Sequence, residues 1–303
     1  MHSLSMPIST GTKPSDGSVI SLTYPKPGES ITCDKTHNTY SIGSVIGEGN
    51  FGIVYGCRDI WGNDLAVKVL KPKGTYQSVR KSYLKEFEKL TRFRHPHITY
   101  VYDAFEFRNA FYIVTERCTS TLAIMLNAPN FNGQYWLRPV AHCILQAVNF
   151  IHTNGYLHQD IHVGNVLSTF IKDEMLPKDQ GRQALVFKLG DLGISRLIEE
   201  VSSESTMAEW MRPPEVLDSK RFGKPDHRVD IYHIGLMLLQ MMLGCETHFS
   251  SDEILSGKPG AIASGWHIPV GDVIARALSC NINSRTSSAM SLWKELDAVL
   301  PKM

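Results

Sequence analysis

Nothing in this sequence is long and apolar enough to cross a bilayer. The longest strongly apolar run, around Ile234 to Leu243, falls far short of the ~20 residues a spanning helix needs. An excess of charge is missing too: 31 Lys and Arg stand against 30 Asp and Glu, a formal net charge of +1. That balance lacks the basic footprint of a general nucleic-acid binder. Clustered cysteines are also lacking. The six present, at Cys33, Cys57, Cys118, Cys143, Cys245 and Cys280, form no C-x-x-C pair, and a chain of this size needs no disulfide staples. They read as the reduced thiols of a cytoplasmic protein. The N-terminus shows no charged-then-apolar leader pattern and is polar instead. These absences exclude a membrane span, a disulfide scaffold and a fibrous repeat. With 303 residues, 43% of them hydrophobic, there is ample material for a buried core.

About half of residues 1–39 are Ser, Thr, Pro or Gly, without apolar period, so this stretch is expected to be a polar extension, mostly disordered or loosely attached. Patterned sequence begins at Tyr40. Strand signals over Ser41–Ile46 and Ile53–Cys57 flank a glycine cluster, and Asp64–Leu70 alternates with Leu65, Val67 and Val69 on one face. A helix is expected over Ser78–Arg94, stopping at His95-Pro96. Strands follow at Ile98–Phe105 and Phe111–Thr115. After Cys118 helical patterns take over. Trp136–Thr153 is one, and Asp230–Leu243 is apolar nearly all round, as a central helix would be. A β-rich part followed by a helical part predicts two lobes, with the cleft between them as the place for a ligand.

Gly47, Gly49 and Gly52 spell G-x-G-x-x-G. Glycines let backbone N–H groups approach phosphate oxygens without a Cβ in the way, although a hairpin turn reads the same. The strand–loop–strand setting argues against a dinucleotide fold, where the glycines open a helix. Lys68 shares its strand face with Ala66 and Leu70. An inward lysine needs an anionic partner, and the following helix offers Glu86 and Glu88.

The most informative stretch is His158-Gln159-Asp160-Ile161-His162-Val163-Gly164-Asn165. An Asp five residues before an Asn suits a turn in which a carboxylate accepts a hydroxyl proton while an amide oxygen holds a metal ion. Lys188-Leu189-Gly190-Asp191-Leu192-Gly193 offers a second carboxylate on a tight turn. Such hard oxygen ligands suit Mg²⁺. A common turn or a core histidine explains each motif alone; their joint order is what chance explains poorly.

From about Tyr40 to Leu300 the sequence resembles a eukaryotic-type protein kinase catalytic domain, matching that family's motif set in order. The resemblance implies a bilobal α+β fold: an N-lobe over 40–116, a hinge over 116–119 and a C-lobe over 119–300. It implies ATP and Mg²⁺ as cofactors and a protein as substrate, with no membrane or nucleic-acid partner. Gly47, Gly49, Asn50, Phe51, Gly52 and Val54 fall in the phosphate-covering loop, Lys68 on the third strand, and Glu86 where its ion-pair partner belongs. Ala66, Thr115 (the gatekeeper position), Glu116, Cys118 and Leu167 would surround adenine. Asp160 fits the catalytic aspartate, and Asn165 and Asp191 the magnesium ligands. Pro213-Pro214-Glu215 fits the end of the activation segment and Arg285 the arginine that pairs with Glu215. Asp230 would both cap its helix and anchor the catalytic loop.

Four departures accompany the resemblance. Gln159 replaces the arginine that reads a phosphate on the activation loop, so no charge-assisted contact forms there. This predicts activity without phosphorylation of Ser202, Ser203, Ser205 or Thr206. His162 stands in place of a catalytic-loop lysine and is expected to fill part of its electrostatic role. Ala208 occupies the position of a threonine near the acceptor. Asn165 and Asp191 lie 26 positions apart, well beyond the family's usual separation, and the extra residues 173–183 read as a surface hairpin tip. The catalytic loop is also similar to that of aminoglycoside and choline kinases, so a small-molecule phosphotransferase is the second reading. A pseudokinase, a binding module on the same fold, is the third.

Overall fold

The computed structural model describes residues 23–49, 52–71, 75–77, 79–81, 83–84, 93–172, 183–191, 196–197 and 207–302. They fall into two compact units. The first runs to Arg94 and includes Thr99–Arg117; the second takes His95–Ile98 and the chain from Cys118 on.

Unit 1 is built on a six-stranded antiparallel sheet of β1 (Ser30–Thr32), β2 (Thr39–Glu48), β3 (Gly52–Asp59), β4 (Asp64–Leu70), β5 (Val101–Phe107) and β6 (Ala110–Glu116). The strand order is β1-β2-β3-β4-β6-β5. The alternation in β4 does what its pattern dictates: Leu65, Val67 and Val69 enter one core with Tyr40, Ile42, Tyr55 and Val114. Ala66 and Leu70 on the other face are buried as well, so Lys68 does not lie on a solvent face. Helical backbone, α1, is described at 76–77, 79–81 and 83–84. It covers that second face, where Tyr83 stacks on Phe111 with ring centroids 4.7 Å apart.

The structure differs from expectation within residues 1–39, since β1 lies inside that stretch. Ile31 and Cys33 are buried, and β1 pairs with β2 in the register Ile31↔Tyr40. A nearly buried carboxylate, Asp103, ties this hairpin down. It accepts hydrogen bonds from Tyr40 Oη and Thr36 Oγ1 at 2.9 Å and from Asn38 Nδ2 at 3.5 Å. Periodicity could not reveal β1, because three residues carry no period and two apolar side chains in a polar segment carry little signal. Residues 1–22 lie outside the described residues.

Unit 2 contains β7 (Ser120–Thr121), α2 (Leu122–Leu126), α3 (Gly133–Thr153), β8 (Tyr156–Leu157), β9 (Val166–Lys172), β10 (Gln183–Leu189) and β11 (Arg196–Leu197). Then come α4 (Pro214–Leu217), α5 (Ser219–Phe222), α6 (Arg228–Leu243), α7 (Ser251–Leu255), α8 (Lys258–Ser264), α9 (Pro269–Ala277) and α10 (Ala289–Val299). Helix α3 starts where the Asn132 side chain accepts from the Tyr135 N–H, and it buries Val140, Ile144, Val148 and Ile151 along one stripe. Helix α6 is buried on all sides from Val229 to Met241, as its uniformly apolar sequence requires. It stops at Gly244, whose φ of +72° is a left-handed conformation that glycine adopts without a Cβ penalty.

The His95–Ile98 segment belongs to unit 2 rather than to the expected 40–116 lobe. Stacking of His95 on Phe150 and a bond from the Leu189 N–H to the His97 carbonyl hold it there. Strands β9 and β10 pair out to Lys172↔Gln183, so the extra residues connect a hairpin; 173–182 themselves are outside the described residues. Among the described residues no helix is long and apolar enough to cross a membrane. A β-rich first unit and a mostly helical second unit give the chain the α+β make-up that the resemblance implies.

Candidate active site

In unit 1 the glycine cluster joins β2 to β3. Gly47 pairs with Val54, and the Gly49 N–H donates to the Gly52 carbonyl at 3.0 Å. The glycines are not equivalent. A Cβ on Gly52 would lie 2.6 Å from the Val69 carbonyl oxygen, whereas no atom of the described residues lies within 4 Å of one on Gly49. Gly52 is required by the close approach of β4; no described residue places such a demand on Gly49. Lys68 sits mid-sheet between Val54 and Ile113, and Ala66 between Gly56 and Thr115. Glu116 ends β6, with its N–H donating to Tyr100 O and its carboxylate accepting from the Tyr100 N–H at 2.7 Å. Asn50, Phe51 and Glu86 lie outside the described residues, as does Glu88. The chain passes into unit 2 between Arg117 and Cys118, within the expected hinge; Leu167 lies on β9 there, opposite Thr121.

In unit 2 the loop after β8 is fixed from three directions. From below comes Asp230 of α6, wholly buried. Its carboxylate accepts the N–H groups of His158 and Gln159 at 2.8 Å each and the His152 Nε2–H at 2.8 Å. Burial alone would raise this carboxyl; the His152 hydrogen bond and the surrounding imidazoles outweigh it and hold the group at about 2. Asp230 does not cap its own helix, which begins two residues earlier with His227 at the N-cap. The expected double role is therefore corrected to the anchoring one.

From the side comes His158, also fully buried. Its Nε2–H donates to Gly190 O at 3.0 Å while its Nδ1 accepts the Asp160 N–H at 3.2 Å. The third tie is Asn165, whose Nδ2 donates to the Asp160 carbonyl at 2.9 Å and to Asp160 Oδ2 at 3.0 Å. The Asn165 carbonyl in turn accepts the Gly190 N–H at 2.9 Å. Asp160, Asn165 and Asp191 are thereby brought together through Gly190. Gln159 and Asp191 take left-handed φ values of +65° and +52°, the kind of backbone strain that over-determined sites sustain.

This donor set fits Mg²⁺. Both amide hydrogens of Asn165 face Asp160, so its oxygen is the atom it offers a cation, and Asp191 adds a hard carboxylate. Among the described residues no group of three or more His, Cys, Asp and Glu could cage a metal.

His162 faces Asp160, its Nε2 lying 3.9 Å from Oδ1. The Gly164 N–H donates to Nδ1 at 3.1 Å, which leaves the imidazole proton on Nε2. Burial holds the imidazole below its ordinary value against the pull of the Asp160, Asp191 and Glu246 carboxylates, so the ring is neutral at pH 7. Beyond it lies the 3₁₀ turn Glu209–Met211. Trp210 meets His162 edge-on with centroids 5.8 Å apart and stacks on His248 at 4.2 Å. Ala208 precedes this turn and is exposed. Further along, Glu215 and Arg285 form the expected pair, bidentate with both bonds at 2.7 Å and both side chains fully buried.

Sequence reasoning missed His152, Trp210 and His233. Trp210 was detectable as a lone aromatic three residues before Pro213. The histidines gave no signal, because their partners lie far away in the chain.

A model of the protein kinase domain family matches residues 40–264. The chain is similar to cyclin-dependent kinase-like 4 of Mus musculus, 27% identical over 204 residues, covering 66% of this chain and 55% of that protein. It is similar also to serine/threonine-protein kinase fused of Drosophila melanogaster, 27% over 222 residues, 72% of this chain and 26% of the relative. Against serine/threonine-protein kinase 10 of Mus musculus the figures are 26% over 272 residues, 84% and 27%. The chain thus spans about half the length, or less, of these curated relatives.

Proposed function

We propose, from the premise that this chain belongs to the protein kinase domain family, that it transfers the γ-phosphoryl group of ATP to a protein hydroxyl, serine or threonine in preference to tyrosine. The observation that carries this reading is the state of Asp160. One carboxylate oxygen, Oδ2, is taken by Asn165; the other is left toward His162 to accept the hydroxyl proton. Held on both sides by buried anchors, that base needs no reorganisation when the acceptor arrives. The names of two relatives, both serine/threonine-protein kinases, support the choice of acceptor.

Each unit would contribute its own groups. In unit 1, backbone amides between Gly47 and Gly52 would hold phosphate oxygens, with Lys68 adding charge and Glu86 orienting it. For adenine, unit 1 would contribute Ala66, Thr115 and Glu116, and unit 2 Cys118 and Leu167. Asn165 and Asp191 would hold Mg²⁺, which supplies charge neutralisation on the phosphates. The Nε2–H of His162 would donate to the transferring phosphoryl group, standing in part for an ammonium. Gln159 is buried and uncharged, which supports turnover independent of a phosphate on the activation segment.

Single-turnover transfer from γ-labelled ATP tests the reading. Label appears on protein with the wild-type chain, and Asp160→Asn slows transfer by about 10²–10⁴-fold. The variant with Ser202, Ser203, Ser205 and Thr206 all replaced by Ala keeps its turnover. An unchanged Asp160→Asn rate overturns the assignment. Label on a metabolite would establish a small-molecule phosphotransferase instead, and absence of label a pseudokinase.

A further inference from the structure

Helix α6 turns two polar side chains toward the site from one face, three residues apart. Asp230 holds the catalytic loop. The second is His233, fully buried, whose Nε2–H donates to the Met211 carbonyl at 2.9 Å. Met211 closes the same turn that carries Trp210, and Trp210 rests against His162. The turn is therefore held between two imidazoles, one behind it in the core and one in front beside Asp160.

His233 costs the fold something. Its Nδ1 is buried and makes no hydrogen bond with any described residue, and burial keeps the ring below its ordinary value despite the Asp230 and Asp160 carboxylates, so among the described residues that nitrogen is a bare lone pair. A leucine would fill this place in an otherwise apolar stretch of helix without an orphaned acceptor. Stability alone does not account for the histidine; the bond to Met211 does.

We propose that His233 is a positioning residue for the phosphoryl acceptor: it fixes the Glu209–Met211 turn where Trp210 braces His162 beside Asp160. Its kinetic consequence rests on the phosphotransfer reading above; its structural consequence does not. His233→Leu removes both the bond and the orphaned nitrogen. His233→Gln restores a donor of similar reach. His233→Asn, whose amide is too short, replaces the leucine variant should that not fold.

Two measurements on the full chain decide the matter. The first is the NMR shift of the His162 ring protons, which the Trp210 ring current sets. In His233→Leu these signals move toward their position in Trp210→Ala, and in His233→Gln they return. The second is steady-state transfer to dephosphorylated casein. His233→Leu raises KM for casein about tenfold with KM for ATP unchanged, and His233→Gln brings it back. Unmoved His162 signals, equal changes in both KM values, or a glutamine variant as impaired as the leucine one would each overturn the proposal. Where γ-labelled ATP labels no protein at all, the kinase reading falls, while the His162 signals still decide the role of His233.

Discussion

The glycine loop of unit 1 and the catalytic loop of unit 2 are built on opposite rules. The first is defined by what is left out. Among the described residues one backbone bond, Gly49 to Gly52, spans it, one glycine is demanded by a neighbouring strand, and another has no neighbour within 4 Å of where its Cβ would be. The second is defined by what is put in: Asp230 accepts three hydrogen bonds, the His158 ring donates one and accepts one, and the Asn165 amide donates two. A loop meant to cover phosphates works with bare backbone. A base meant to take one proton at one place must be held by its neighbours.

Substitutions that break the contrast should fall in a definite order. The largest effect belongs to Arg285→Met, which leaves the fully buried Glu215 carboxylate unpaired and lowers stability by about 3–5 kcal/mol, read from the urea midpoint. Next comes acid. Because Asp230 titrates at about 2 when folded and near ~4 when unfolded, its contribution is complete above pH 4. It is lost as pH falls toward 2, by on the order of 2 kcal/mol. Urea midpoints at pH 5, 3 and 2 should show this loss in the wild type and a smaller one in Asp230→Asn. In unit 1, Gly52→Ala forces a methyl against the Val69 carbonyl and costs about 1–3 kcal/mol. Gly49→Ala, with no described atom within 4 Å of the added Cβ, stays within about 0.5 kcal/mol. A Gly49→Ala loss as large as that of Gly52→Ala would erase the distinction drawn within the glycine loop.

Much of this was legible in the sequence for reasons of period and spacing. Strand β4 has the bounds its alternation predicts, Asp64–Leu70, and α6 is as central as its apolar composition requires. Asp160 and Asn165 were legible because a turn brings close residues together without long-range information, whereas Asp191, 26 positions further on, was legible only from the order of the motifs. What escaped depends on partners far apart in sequence. His152 reaches Asp230 across 78 residues and His233 reaches Met211 across 22, and neither leaves a local pattern. Asp230 was identified, yet its cap role failed because His227, not Asp230, sits at the helix start. Strand β1 stayed hidden because its burial is conferred by Tyr40 and Asp103 rather than by its own composition.

The Asp103 carboxylate has a practical consequence for anyone who trims this protein. The family match begins at residue 40, and a fragment cut there would look complete by motif. It would nonetheless delete Thr36, Asn38 and Cys33, leaving Asp103 with Tyr40 as its one side-chain donor from this hairpin. The same cut would strip the β1 partner from the edge of the sheet and bare strand β2, a template for aggregation. Expression boundaries are better drawn before Ser30 than at the first recognisable motif.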